Sequence, residues 1–153
     1  MFSSIGVLFK SKKQLPSTPS KDDIKLATAK LMLEVIRADG YVGKIELITM
    51  SEVLRREFDL KQTDLNDLFD EISSSRPDEG GLHKITRTIC ETWGNAKRVK
   101  LLENLWIVAL ADQHIDQDEN TLVRKLASQL CLNEMQIFRS QENAKLKMGI
   151  EDF

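Results

Sequence analysis

The sequence contains few of the residues that turn a polypeptide chain sharply. Only three prolines and seven glycines occur among its 153 residues, which is too few for the regularly spaced tight turns of an all-β sandwich or barrel. No segment alternates apolar and polar residues over the length of a useful strand. The first expectation is therefore a mostly helical chain.

An excess of either charge is also absent. The 22 basic and 24 acidic residues leave a formal net charge of -2, whereas nucleic-acid binders usually gather a basic excess on one face. The basic clusters, at residues 10–13 and 97–100, are short. We expect the second cluster to lie on the solvated side of a helix, and we expect no nucleic-acid partner.

Residue types that carry catalysis are scarce. Neither histidine, His83 or His114, has an acid and a nucleophile at a recognisable spacing, and no glycine-rich phosphate loop occurs. Cys90 and Cys131 lie in apolar helical patterns without the spacing of metal ligands. We expect two reduced, buried thiols in a reducing cytosol, in preference to a disulfide or a zinc site, and we expect no enzymatic activity.

Residues 1–20 differ from the rest of the chain and are interpreted as an apolar arm followed by a linker. The apolar stretch over residues 1–9 is too short to span a bilayer, and it lacks the leading positive charge and cleavage site of a signal peptide. It either folds back onto the body as a short helix or docks on a partner or membrane surface through residues 1–13. We expect a cytoplasmic protein, peripheral to the membrane only if this arm binds there.

From residue 21 onward, apolar residues recur at helical spacing. Ser20 is a good N-cap because acidic residues follow it directly in the first turn. A polar break at residues 73–81 divides one domain, residues 21–153, into halves of about 21–75 and 82–147. The predicted helices span about residues 21–38, 44–58, 63–72, 82–93, 97–111, 117–130 and 133–147.

Three local features carry further expectations. Gly80 and Gly81 form a pair within the central break, which is typical of a flexible joint. Asn95 is the predicted cap of the fifth helix. Trp93 and Trp106 occupy apolar helical positions, which favours packing in the core over a role in binding a cofactor.

The two halves share an acidic turn. Asp39 and Glu46 in the first half and Asp112 and Glu119 in the second are related by one offset of 73 residues. Each aspartate follows an alanine, and each glutamate stands seven positions later. Each half thus follows the order helix, acidic turn, helix, short break, helix, which predicts an internal repeat.

This paired pattern resembles the tellurite-resistance TerB-like family over about residues 24–144. The resemblance implies a compact all-α bundle of about seven helices with an internal pseudo-two-fold repeat, acidic turns that bind divalent cations, and a link to tellurite resistance. The central domain of a membrane-anchored J-domain co-chaperone is a further relative. The chain departs from the family pattern at Gln113, where the second turn would carry glycine, and at Gly43, where a capping serine or threonine is usual.

A metal site in these turns would need carboxylates from both halves. Calcium or magnesium requires several oxygen ligands at once, more than one Asp and one Glu supply. The candidate ligands are pooled from both turns, and calcium or magnesium is favoured over zinc. The candidates are Asp39, Glu46, Asp112 and Glu119, with Asp116 and Asp118 as further candidates. The second turn is not an EF-hand loop, because its sixth and twelfth positions lack the required glycine and glutamate.

A purely structural role for the same residues stays open. If Asp116 is the N-cap of its helix, Glu119 stands at N3 and can reach back to the backbone N–H of the cap. Gly43 and Glu46 have the same spacing. The sequence therefore supports two hypotheses: a non-enzymatic module that binds a divalent cation, or a protein-interaction module whose acidic turns are structural. Neither hypothesis specifies an oligomeric state.

Overall fold

Every helical segment predicted from the sequence forms an α-helix in the computed structural model, which describes residues 21–40, 42–73, 79–113 and 115–150. A short 3-10 turn, Arg37–Asp39, extends the first helix. The described residues contain no strand, so the all-α prediction is confirmed. The predicted cap Ser20 and the arm lie outside the described residues. Within these described ranges there are seven α-helices: α1 (Lys21–Ile36), α2 (Lys44–Phe58), α3 (Gln62–Ser73), α4 (Glu79–Thr92), α5 (Asn95–Ala109), α6 (Gln117–Gln129) and α7 (Glu134–Met148).

Helix α5 forms the centre of the bundle. Every one of its residues from Leu101 to Ala109 is buried, and α5 packs against α1, α2, α6 and α7. A helix buried on all sides has no polar face to show to water. The side chains of Leu102, Leu105 and Trp106 are fully buried, so the prediction that Trp106 belongs to the core is confirmed.

Two predicted helix starts differ from the structure. Gly80 and Gly81 lie in the first turn of α4, so the expectation of a flexible joint at this pair is wrong. Glycine costs only about 1 kcal/mol in a helix relative to alanine, and the rest of the helix offsets that cost. The N-cap of α5 is Gly94, not Asn95, and the Asn95 side chain instead accepts a hydrogen bond from Gln136 Nε2 at 2.7 Å.

The cysteines contradict the sequence-based expectation of two reduced, buried thiols. Cys90, near the end of α4, and Cys131, in the α6–α7 turn, form a disulfide with a Cα–Cα distance of 5.8 Å. Cys90 is half-buried and Cys131 is exposed. The expectation is wrong because the pattern around each cysteine describes only its own helix, whereas the packing of the fold brings α4 to the α6–α7 turn. The two cysteines therefore do not indicate a reducing cytosol.

A membrane span is not found among the helices of the described residues, since each falls short of the length or the apolar character that crossing a bilayer requires.

Breaking the disulfide should destabilise the fold. The bond links residues 41 positions apart, and closing a loop of that length contributes about 2–4 kcal/mol to typical proteins, mainly by restricting the unfolded chain. We expect Cys131→Ser to lower the free energy of unfolding by about this amount in urea titrations. A reductant should produce the same loss in the wild type and none in the variant. Two thiols that react with an alkylating agent in the unreduced protein would contradict the pairing.

Candidate functional site

Each acidic turn contains a residue with positive φ that donates its N–H to the carbonyl three residues earlier. Gly40 has φ 82° and donates its N–H to Arg37 O at 2.8 Å, and Gln113 has φ 75° and donates its N–H to Leu110 O at 2.8 Å. A left-handed conformation is routine for glycine but costs other residues roughly 1–2 kcal/mol. The second turn therefore keeps its tight geometry despite the replacement of glycine by Gln113. The pseudo-two-fold relation between whole halves stays a prediction.

The first turn lies against the second half of the chain. The 3-10 turn Arg37–Asp39 packs against α6, the helix that follows the second acidic turn. The backbone of Asp39 ends this turn, while its side chain is not among those described. The fold thus brings an acidic turn of one half to a helix of the other.

Both turn glutamates are buried and act as helix caps. Glu46 is 8% exposed and Glu119 is 3% exposed. Oε1 of Glu46 accepts the Gly43 N–H at 3.2 Å, and Oε1 of Glu119 accepts the Asp116 N–H at 3.3 Å. The predicted caps are confirmed, with one difference between them: glycine has no side chain, so the cap at α2 lacks the reciprocal bond.

The aspartates of the second turn have different environments. Asp116 is half-buried, and its Oδ2 accepts the Asp118 N–H at 3.0 Å, which makes Asp116 the N-cap of α6. Asp112 and Asp118 are exposed. Among the residues whose side chains are described, no group of three or more His, Cys, Asp or Glu side chains is close enough to hold a metal ion. His114 lies outside the described residues.

Two substitutions of Asp116, the N-cap of α6, should distinguish the effect of its capping hydrogen bond from the effect of its negative charge. Asp116→Ala removes the oxygen that accepts the Asp118 N–H, and we expect a loss of about 1 kcal/mol in the free energy of unfolding. Asp116→Asn keeps an accepting oxygen and should retain most of that stability. Chemical denaturation of the two variants gives the comparison. Equal losses would show that the charge of Asp116, not its capping bond, is what stabilises the helix.

A second feature, which the sequence analysis did not find, is a cleft of about 220 Å³ between α1, the end of α2 and α5. Trp93 lines it from the α4–α5 junction; it is buried, as predicted, but its ring also forms part of a wall. Lys97, Lys100 and Asn104 line it from α5. The signal in the sequence is Asn104, a polar residue within the apolar run of α5.

The basic cluster at the start of α5 is less uniformly solvated than predicted. Lys97 is exposed as expected, whereas Arg98 and Lys100 are half-buried. Arg98 donates to the backbone carbonyls of Leu130 at 2.9 Å and Cys131 at 3.2 Å. Arg98 therefore holds the start of α5 against the α6–α7 turn, close to the disulfide.

Comparisons with known proteins identify the fold family. The family model for tellurite resistance protein TerB matches residues 25–142, which is more than half of the chain and includes both acidic turns. No match was found among curated proteins or among solved structures. The matched region runs from α1 into α7 and thus includes at least part of each helix in the described ranges. The chain therefore belongs to the TerB family and is a helical module associated with tellurite resistance.

Proposed function

We propose that this TerB module is non-enzymatic and binds a divalent cation weakly through its two acidic turns. The proposed ligands are Asp39 and Glu46 from the first turn and Asp112 and Glu119 from the second. Calcium or magnesium is the expected ion, because both are hard cations that prefer oxygen ligands and magnesium retains several waters. A weak site of this kind serves as a sensor or buffer of cations, with no bond made or broken in a substrate.

The observation that carries the proposal is the packing of the 3-10 turn Arg37–Asp39 against α6. Because Glu119 lies in the first turn of α6, this packing joins the element that ends in Asp39 to the helix that holds Glu119. The capping bonds engage Oε1 of Glu46 and of Glu119. A carboxylate offers about four acceptor sites on its two oxygens, so capping and cation binding are compatible.

Thermal melts in the presence of single cations test the proposal. At a cation concentration ten times Kd, binding should raise Tm by about 3–6 °C for a domain of this size. The shift should occur with calcium, magnesium or manganese and should be smaller with zinc. It should disappear in Asp39→Asn/Asp112→Asn, because the change removes one formal charge from each turn.

The matched control is Asp67→Asn/Asp70→Asn on α3, where both aspartates are exposed. It removes the same total charge from a surface away from the turns and should keep the wild-type shift. Equal shifts in all three proteins, or no shift in any, would refute cation binding at the turns.

An apolar patch favours a second candidate function, a protein-interaction module. Ile45 and Ile48, spaced by three residues in the first turns of α2, are 54% and 51% exposed, and Val42, just before the N-cap Gly43, is 43% exposed. Residues spaced by three lie on one face of a helix. Large exposed apolar side chains grouped on one face are typical of surfaces that bind other proteins. In this alternative the acidic turns are structural and position the patch.

Site-specific photo-crosslinking distinguishes the interaction candidate. A photoreactive residue in place of Ile48 should crosslink to one protein of defined mass in cells, because it lies within the patch. The same residue in place of Asp67 on α3 is the control and should give no such product. Identical crosslinked products from both positions would show that the patch has no specific partner.

A further inference from the structure

We propose that the cleft between α1, α2 and α5 binds a small organic anion with an apolar body and an O–H or N–H donor opposite its charged group. This function goes beyond cation binding by the acidic turns and uses a different part of the molecule. The cleft lies where α1 begins and α2 ends, whereas the first acidic turn lies where α1 ends and α2 begins. Since α1 has 16 residues, these ends are about 24 Å apart.

The anion preference comes from Lys97 at the rim of the cleft. The positive charge of Lys100 is already balanced by two carboxylates, because its Nζ lies 3.7 Å from both Glu57 Oε2 and Glu103 Oε1. Lys97 has no carboxylate within ion-pair distance among the described residues, and its Nζ lies 5.8 Å from the centre of the Trp93 ring. The positive charge at the rim is therefore available to an anionic group, with the Trp93 ring beside it.

The preference for an apolar body comes from the walls. Ile24 on α1, Phe58 at the end of α2 and Leu101 on α5 line the cleft together with Trp93. Apolar surface removed from water by a ligand contributes roughly 25 cal/mol per Å² before the costs of association. The volume of about 220 Å³ lies below the roughly 300–1,000 Å³ of sites for drug-sized ligands, so the ligand is a small one.

The requirement for a hydrogen-bond donor comes from Asn104. This side chain lines the cleft and is 3% exposed, and its buried Oδ1 has no hydrogen-bond partner in the part of the chain that the structure describes. An unsatisfied buried polar atom is costly, and native folds hold few of them without a reason. The terminal torsion of asparagine is soft, so the amide can rotate to present Oδ1 to a donor on a bound ligand.

The spacing on α5 sets the length of the ligand. Lys97 and Asn104 are seven residues apart, with Lys100 and Leu101 between them, and residues at this spacing share one helix face. Seven residues of helix rise by about 10 Å. An anionic group near Lys97 and a donor near Asn104 are thus joined by one small ring or a short chain.

Titration of the full-length, ¹⁵N-labelled protein with 4-hydroxybenzoate tests the proposal. This probe has a carboxylate, an apolar ring and an O–H donor at the far end. We expect saturable chemical-shift changes at the amides of Ile24, Leu101 and Asn104, while Gly40 and Ala111 in the acidic turns stay unchanged. Absence of saturable changes, or changes confined to other surfaces, would overturn the proposal.

Two related probes separate the parts of the recognition. Benzoate lacks the donor, and 4-hydroxybenzamide lacks the negative charge. We expect each to bind the wild type about tenfold more weakly than 4-hydroxybenzoate, since a charge-assisted or buried hydrogen bond is worth about one such factor. Equal affinity of all three probes would show only nonspecific partition into an apolar hollow and would also overturn the proposal.

Variants assign each preference to its residue. Lys97→Gln should weaken 4-hydroxybenzoate about tenfold but leave 4-hydroxybenzamide unaffected, whereas Lys125→Gln, an exposed lysine on α6, is the control and should change neither. Asn104→Leu removes the buried amide at similar volume and should abolish the difference between 4-hydroxybenzoate and benzoate. Because Lys97 is on the surface, its variant tests the proposal even if Asn104→Leu fails to fold. Wild-type affinities in Lys97→Gln would contradict the assignment.

Discussion

Helix α5 is the buried centre of the bundle, and other helices pack around it. From Leu101 to Ala109 this helix has no exposed face, so the other helices must cover it on every side. Helices α1 and α2 cover it from the first half of the chain, and α6 and α7 from the second. The two halves are therefore joined through a shared apolar centre. The acidic turns and the cleft occupy the places where helices around that centre begin and end.

Two polar residues within this buried helix, Glu103 and Asn104, differ in their hydrogen bonding. Glu103 is buried but paired, with Lys100 on its own helix and with Lys147 on α7. The hydrogen bond to Glu103 raises the pKa of Lys147 above its ordinary value. Asn104 is also buried, yet its Oδ1 has no hydrogen-bond partner among the described residues. Glu103 thus links α7 to the central helix, whereas Asn104 places an oxygen that can accept a hydrogen bond at the wall of the cleft.

The features that the sequence predicted correctly are those that local chemistry determines. Helix α2 has the predicted bounds, Lys44–Phe58, because a glycine with a glutamate three residues later starts it and its apolar spacing is clear. The caps at Glu46 and Glu119 followed from spacing alone. The family was predicted from the acidic turn because the turn occurs twice, and this repeat can be read from the sequence without knowing how the helices pack.

The features that the sequence did not predict depend on contacts between distant segments. The disulfide requires α4 to meet the α6–α7 turn, and no spacing rule connects Cys90 with Cys131. The cleft requires the start of α1 to meet the end of α2 and the face of α5 that carries Lys97. The sequence shows Asn104 as a polar residue within an apolar run. Whether its side chain finds a hydrogen-bond partner depends on the helices packed around it and cannot be read from the sequence.

The proposed cation site joins the two acidic turns and is separated from the cleft by the length of α1. Paramagnetic broadening by Mn²⁺ in the ¹⁵N-labelled full chain tests it most directly, because broadening depends steeply on distance from the ion. Substoichiometric Mn²⁺ should broaden the amides of Ala38, Gly40, Ala111 and Gln113 together and leave Ile24 sharp. Broadening of one turn without the other, or equal broadening at the exposed aspartates of α3, would contradict the proposed site.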